Sequence, residues 1–150
     1  MVGLLALALP VSAAREAEVT IRLISKPVAA GSLTDRAPKG IPNRGDVFYA
    51  KSSLRNQVAQ FGRPKGALVG SDYATYTLLS KQTAVIRVRV TLPGGTLRAQ
   101  GTADLTKPGG VLAVVGGTGK FANARGSSEV RDLRNYSINV YRLQLPQRAA

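Results

Sequence analysis

Proton transfer and ion binding in this chain can rest only on carboxylate, tyrosine, lysine and arginine side chains or on bound water. The 150 residues include no Cys and no His, which excludes disulfide frameworks, thiolate or imidazole zinc sites, Cys nucleophiles and His-based triads. Asp and Glu together number eight, and there are five Tyr. A metal site could be built only from carboxylates and carbonyls, and none is predicted.

The most informative stretch is residues 116–126, which read Gly-Gly-Thr-Gly-Lys-Phe-Ala-Asn-Ala-Arg-Gly. A phosphate-binding P-loop is excluded, because Phe121 follows Gly119-Lys120 where Ser or Thr is required, and Val114 stands where the first glycine is required. Residues 117–122 do match the dinucleotide-binding pattern G-x-G-x-x-A. That pattern must open a helix between parallel strands, whereas Gly126 interrupts the next turn and the surroundings predict antiparallel hairpins.

The charge balance is strongly basic, with 21 Lys and Arg against eight acidic residues and a net charge of +13. Such a chain is attracted to polyanions such as nucleic acid, acidic polysaccharide or anionic lipid headgroups. Few aromatic side chains are available to stack on bases, and no recognition helix is predicted, so we expect no specific nucleic-acid role.

Residues 1–14 differ from the rest of the chain. They combine an almost purely apolar run, Pro10, and small residues at cleavage spacing, which is typical of a secretory signal peptide. The run is too short to span a bilayer. The sequence therefore predicts a leader at 1–14, a single domain at 15–150 and a secreted or extracytoplasmic location, the alternative being a buried N-terminal element.

The remainder consists of short β-rich runs separated by Gly and Pro, with no long amphipathic helix. The clearest strand covers residues 84–92, where Ile86, Val88 and Val90 alternate with Arg and Thr, and Pro93-Gly94-Gly95 turns into the next strand as a hairpin. Arg87, Arg89 and Arg98 are expected on the outer face. The predicted strands are 19–25, 46–54, 66–69, 73–79, 84–92, 96–102, 110–115, 127–133 and 137–145.

Eight or so strands at even spacing predict an all-β fold, an antiparallel barrel or sandwich. Residues 116–126 resemble the signature of plant dirigent proteins and of the related allene oxide cyclase barrels. The Gly45-Asp46-Val47-Phe48 strand start and the hairpin at residues 92–97 are similar to those of secreted bacterial members. The resemblance covers roughly residues 19–145 and implies an eight-stranded antiparallel β-barrel with an apolar cavity, assembled as a homotrimer or homodimer.

The resemblance also implies a function. Dirigent proteins hold phenoxy radicals so that they couple with one stereochemistry, and allene oxide cyclases fold a reactive epoxide into a cyclopentenone. Both work by shaping the reactant in a dry pocket, and neither needs a cofactor. We therefore expect a barrel that binds a small apolar or phenolic molecule and steers its cyclisation or coupling, as a cofactor-free isomerase or a dirigent-type auxiliary. The alternative is a non-catalytic secreted barrel whose basic surface binds an anionic envelope or extracellular polymer.

Four residues are candidates for the site. Arg125 is predicted at the cavity mouth, as a catalytic and ligand-binding guanidinium or as a brace on backbone carbonyls. Phe121 is predicted to contact ligand or to plug a barrel end. Asp46 is a candidate pocket acid, although capping a turn is the simpler interpretation, and Tyr49 is a candidate for the cavity wall.

Six further residues have roles that the sequence leaves open. Asp72 and Asp104 are predicted near strand ends, as rim acids or, more simply, as solvated loop residues. Tyr73, Tyr76, Tyr136 and Tyr141 also offer phenols, but alternation alone does not say which tyrosines face the cavity; Tyr136 and Tyr141 lie on or beside the last predicted strand.

Overall fold

Eight antiparallel strands close into one barrel, in which each strand pairs with its neighbours in the sequence and β8 pairs with β1. The structure, a computed structural model, describes residues 16–146. The strands are β1 (Glu16–Thr34), β2 (Val47–Asn56), β3 (Leu68–Leu78), β4 (Thr83–Leu92), β5 (Gly95–Asp104), β6 (Gly109–Gly117), β7 (Arg125–Asp132) and β8 (Ser137–Pro146). This confirms the predicted all-β, eight-stranded antiparallel barrel.

A short 3₁₀ helix, Gly119–Phe121, connects β6 to β7 and is the helical element of the described residues. No helix in residues 16–146 is long and apolar enough to cross a membrane. The predicted leader at 1–14 lies outside the described residues.

The two ends of the barrel are built differently. At the closed end, where the β4–β5 turn and the 3₁₀ helix lie, apolar side chains fill the interior; they include Leu23, Leu54, Leu97, Val90, Val114 and Leu143. Phe121 joins this cluster with 4% of its surface exposed. At the open end, where the β1–β2, β3–β4, β5–β6 and β7–β8 loops lie, the interior is hollow. The packed half holds the strands in place around the hollow half.

The hairpin predicted at Pro93-Gly94-Gly95 is confirmed, because Leu92 pairs directly with Gly95 and Gly94 takes a positive φ of 94°. Arg87 and Arg89 are exposed on β4, as is Arg98 on β5, as predicted for an outer wet face. Interior and exterior residues alternate along each strand because successive side chains of a strand point to opposite faces.

Two predicted boundaries were wrong. The separate runs 66–69 and 73–79 belong for the most part to one strand, β3, because Gly70, Ser71 and Asp72 continue the pairing with β2. A register shift opposite Leu54 and Arg55 leaves both Val69 and Asp72 facing inward. β1 extends to Thr34, although its prediction ended at residue 25. Pro27 and Gly31 in this extension suggest a loop, but the strand absorbs them with register irregularities between Pro27 and Ala29 and between Ser32 and Thr34.

Candidate active site

A cavity of about 340 Å³ occupies the open half of the barrel. This volume is near the lower end of the range typical for small-molecule sites. Its apolar wall includes Ala50, Ala74, Ile86, Val88, Ala103, Leu112 and Val130. Its polar groups include Ser25, Ser52, Asp72, Tyr76, Ser128, Asn139 and Tyr141. An apolar chamber with a few convergent polar groups is the usual form of a ligand site.

Asp72 is the acidic group placed on the inner wall by β3, and its environment alters its acidity. It pairs with Ser52 of β2 in the sheet register, and Ser25 Oγ of β1 donates a long hydrogen bond of 3.5 Å to its Oδ2. Burial raises the pKa of Asp72 to about 6, against the opposing effect of the Ser52 and Ser25 hydroxyls. A carboxyl group with this pKa exchanges its proton readily near neutral pH.

Two tyrosines face the same chamber and keep their protons. Tyr76 lies on the inner face of β3, two alternations after Asp72, and burial raises its pKa, with the charges of Asp72 and Asp132 adding to the effect. Tyr141 of β8 is fully buried, and burial together with the charge of Asp72 raises its pKa to about 12, although the hydroxyl of Ser128 and the amide of Asn139 act in the opposite direction. Both phenols are therefore hydrogen-bond donors at neutral pH.

Asn139 completes the polar wall. It is only 6% exposed, it lines the cavity, and its Oδ1 atom has no hydrogen-bond partner among the described residues. A buried acceptor without a partner is costly in free energy, so a ligand that donates a hydrogen bond there is favoured.

The predicted pocket acid Asp46 lies outside this cavity and holds a loop. Its carboxylate accepts hydrogen bonds from the backbone N–H of Arg36, at 2.7 Å from Oδ1, and of Asn43, at 2.8 Å from Oδ2. Asp46 is 1% exposed and is not among the cavity-lining residues. This geometry agrees with the turn interpretation of the residue.

Replacing Asp46 with alanine is expected to lower the free energy of unfolding by about 2–4 kcal/mol, because two partly buried backbone donors lose a buried, charged acceptor. Chemical denaturation of the variant measures this loss, and Asp46→Asn, which retains one acceptor oxygen, should lie between it and the parent. Unchanged stability combined with lost ligand turnover would instead support the pocket-acid prediction.

Three other predicted ligand residues also lie away from the cavity. Phe121 is packed at the closed end, as the plug interpretation predicts. Arg125 is exposed at the start of β7, and its Nη1 donates to the carbonyl of Ala124 at 2.8 Å, which is the bracing role. Tyr49 stacks on Tyr73 with ring centroids 6.0 Å apart, and alternation with Ala50 turns it outward. None of these three residues lines the cavity, so their ligand-binding roles remain predictions. The catalytic roles predicted for Asp46 and Arg125 also remain predictions.

Asp72 is the functional candidate that sequence reasoning misplaced. The predicted strands end and begin on either side of Asp72, so the sequence predicts a rim acid near a strand end or, more simply, a solvated loop residue. Counting alternate positions back from Leu78 through Tyr76 and Ala74 puts Asp72 on the inner face, so the signal was present. Asp104, at the end of β5, does lie at the cavity rim.

The chain was compared with known families and structures. The family model for dirigent-like proteins matches residues 35–145. No protein of curated function matches the chain. Among solved structures, a pyocyanin demethylase superposes with a TM-score of 0.67 at 21% identity, covering 83% of this chain and 99% of its own.

Two further structures have the same fold. A pterocarpan synthase dirigent protein gives a TM-score of 0.67 at 17% identity over 96% of this chain and 98% of its own. A Diels–Alderase from Streptomyces koyangensis gives 0.65 at 14% identity over 87% of this chain and 69% of its own. The family match covers most of the chain and agrees with the closed barrel and the glycine-rich signature. The chain therefore belongs to the dirigent-like protein family.

Proposed function

We propose that this barrel binds a small, largely apolar or phenolic molecule in its open half and steers that molecule's cyclisation or isomerisation, with Asp72 transferring the proton. The observation that carries the proposal is a carboxyl group of pKa about 6 inside a largely apolar chamber. Perturbed acids in cavities are characteristic of catalytic sites.

The proton in this step moves only between the substrate and Asp72, so the step consumes no other reactant. The ionised carboxylate takes a proton from a hydroxyl or an activated C–H of the substrate, and the electron pair left behind forms the new bond within the substrate or shifts along its conjugated system. Asp72 then returns the same proton to the atom where the negative charge arrives, and Tyr76 or Tyr141 donates a hydrogen bond to that charge as it develops. Substrate and product are isomers, and Asp72 ends in its initial state.

Related barrels support this class of reaction. The similar structures include proteins named as a pterocarpan synthase dirigent protein and as a Diels–Alderase. Holding a flexible reactant in one folded shape lowers the entropic barrier to ring closure, and a water-poor chamber protects reactive intermediates. We also propose an extracytoplasmic location, supported by the apolar leader-like segment 1–14.

Filling the cavity is the direct test of binding. Ala74 is buried on the cavity wall, whereas Ala113 on β6 is exposed. Thermal shifts of the parent against a panel of phenolics, oxylipins and polyketide-like cyclisation substrates should reveal saturable stabilisation. We expect Ala74→Leu to abolish the shift and Ala113→Leu to retain it. The proposal would be contradicted if no compound in the panel stabilised the parent, or if the compounds stabilised Ala74→Leu as much as the parent.

A second candidate function is binding of an anionic polysaccharide, and it rests on the outer surface. The sheet register aligns Lys51, Tyr73, Arg89 and Arg98 in one row across β2 to β5. Arg89 and Arg98 are direct cross-strand partners, an arrangement of like charges that an anion would relieve. Stabilisation by heparin in the same panel, with no response to small molecules, would favour this function.

A further inference from the structure

The cavity carries a charge opposite to that of the chain as a whole. Its lining contains the carboxylates of Asp72, Asp104 and Asp132 and the ammonium group of Lys107, a net charge of −2 when all four are ionised. Three of the eight acidic residues thus line one cavity in a chain whose net charge is +13.

The two carboxylates at the mouth are held in place by neighbouring side chains. Asp104 accepts hydrogen bonds from the backbone N–H and the hydroxyl of Thr106, and these bonds lower its pKa, so it is ionised at neutral pH. Asp132 accepts a hydrogen bond of 2.8 Å from Ser137 Oγ. Lys107 offsets this charge only in part, since its Nζ lies 4.0 Å from Asp104 Oδ2 and both side chains are well exposed.

The negative field extends into the chamber. The charges of Asp72 and Asp132 both act on Tyr76, and that of Asp72 also acts on Tyr141. A second and independent feature is the buried Oδ1 of Asn139, an acceptor without a partner in the cavity wall. The surroundings of the chamber thus offer negative charge and free acceptor capacity to whatever enters.

We infer that the ligand of this cavity is a small protonated amine with an apolar body, because an N–H cation suits both the carboxylates and the free Oδ1 of Asn139. The inference rests on the proposed function and narrows its substrate class. The apolar wall accommodates the body, the carboxylates attract the charge, and Asn139 Oδ1 accepts a hydrogen bond from the N–H group. A carboxylate-bearing ligand would meet like charge at the mouth and again at Asp72.

The basic outer surface does not cancel this preference. At physiological ionic strength, exposed charges farther than about 8 Å are largely screened. Asp72, Asp104 and Asp132 line the cavity itself, whereas Lys51, Arg89 and Arg98 are exposed on the outer face of the barrel. The low-polarity interior strengthens interactions made within the cavity.

A matched ligand series tests the inference. 2-Naphthylmethylammonium, 2-naphthol and 2-naphthoate share a two-ring body and differ in charge. Isothermal titration of the full chain at pH 8 and 0.15 M NaCl should give the tightest binding for the ammonium cation, roughly tenfold or more tighter than for the naphthoate. Asp72→Asn and, separately, Asp132→Asn should each weaken cation binding several-fold, and Asp132→Asn should leave 2-naphthol binding nearly unchanged.

Glu129→Gln is the matched control, because it changes the net charge equally at an exposed residue outside the cavity whose carboxylate pairs with Arg142. Equal or tighter binding of 2-naphthol, or an equal loss in Glu129→Gln, would overturn the inference and leave the proposed function standing. Binding of none of the three ligands, together with a flat thermal-shift panel, would overturn both.

Discussion

Replacing Asp72 with asparagine is expected to lower kcat/KM for the proton-transfer step by roughly 10²–10⁴-fold, the usual contribution of a general acid–base group. Asparagine has the same shape and can still accept hydrogen bonds from Ser25 and Ser52, so the cavity should persist. The measurement is turnover of whichever panel compound the parent converts. If the variant retains its affinity for a neutral ligand such as 2-naphthol, the loss lies in the catalytic step and not in ligand binding.

The pH dependence of the parent gives an independent check. The step begins with the ionised carboxylate, so kcat/KM should fall about tenfold per pH unit below a pKa of about 6 and level off above it. Asp72→Asn should lose this limb of the profile. A profile that is identical in the parent and the variant would assign the titration to another group and contradict the role of Asp72.

Raising the pH should lower the stability of the parent protein, although it raises the activity. Because burial raises the pKa of Asp72 from 3.8 to about 6, the folded state binds the proton more strongly than the unfolded state, and stability falls as pH rises from about 4 to 6. At pH 8 the Asp72→Asn variant should therefore be more stable than the parent, by up to about 3 kcal/mol. A destabilised variant at pH 8 would indicate a structural role for the carboxylate.

Replacing Gly126 with alanine is expected to cost about 3–5 kcal/mol of stability or to prevent folding. Gly126 has a φ of 143°, and a Cβ atom built there would lie 1.9 Å from the carbonyl oxygen of Arg142 on β8. That oxygen belongs to the paired backbone of β7 and β8 and cannot move aside. Soluble yield and chemical denaturation measure the effect.

Gly116→Ala is the matched control from the same glycine-rich signature. A Cβ atom at Gly116 would meet the Nη2 atom of Arg98 at 2.7 Å, which is the end of a flexible and exposed side chain. We expect this variant to fold with a stability within about 1 kcal/mol of the parent, since Arg98 can turn away. Similar losses in both variants would mean that the clash with β8 is not what requires glycine at position 126.

The strand pattern predicted an all-β barrel or sandwich because the determinants of strands and turns are local, and the resemblance to dirigent proteins implied the barrel. Alternation in β4, the Pro93-Gly94 turn and the glycine-rich segment 116–126 each indicate strands and tight turns without reference to the rest of the chain. Their even spacing then favours an antiparallel barrel or sandwich. The outward positions of Arg87, Arg89 and Arg98 follow from the same alternation.

The site was harder to predict because it depends on how strands from distant parts of the chain meet. Asp72, Asn139 and Tyr141 contribute to one cavity only after β8 has closed on β1 and β3 has paired with β2. Alternation back from Leu78 places Asp72 on the inner face, but no local pattern shows that this part of the interior is a cavity and not packed core. The candidates chosen from the glycine-rich signature, Phe121 and Arg125, belong to the closed end, where they support packing and loop geometry.

Because the barrel has a packed half and a hollow half, the residues that stabilise the fold are separate from the residues that shape the ligand cavity. Substitutions at the small residues Ala50, Ala74 and Ala103 reshape the chamber without touching the Leu and Val cluster that holds the strands together. New substrates can therefore be accommodated by substitutions at one end of the barrel. Each such substitution is expected to change little of the free energy of unfolding, which is typically 5–15 kcal/mol. The same separation makes these three alanines the natural positions for a directed library.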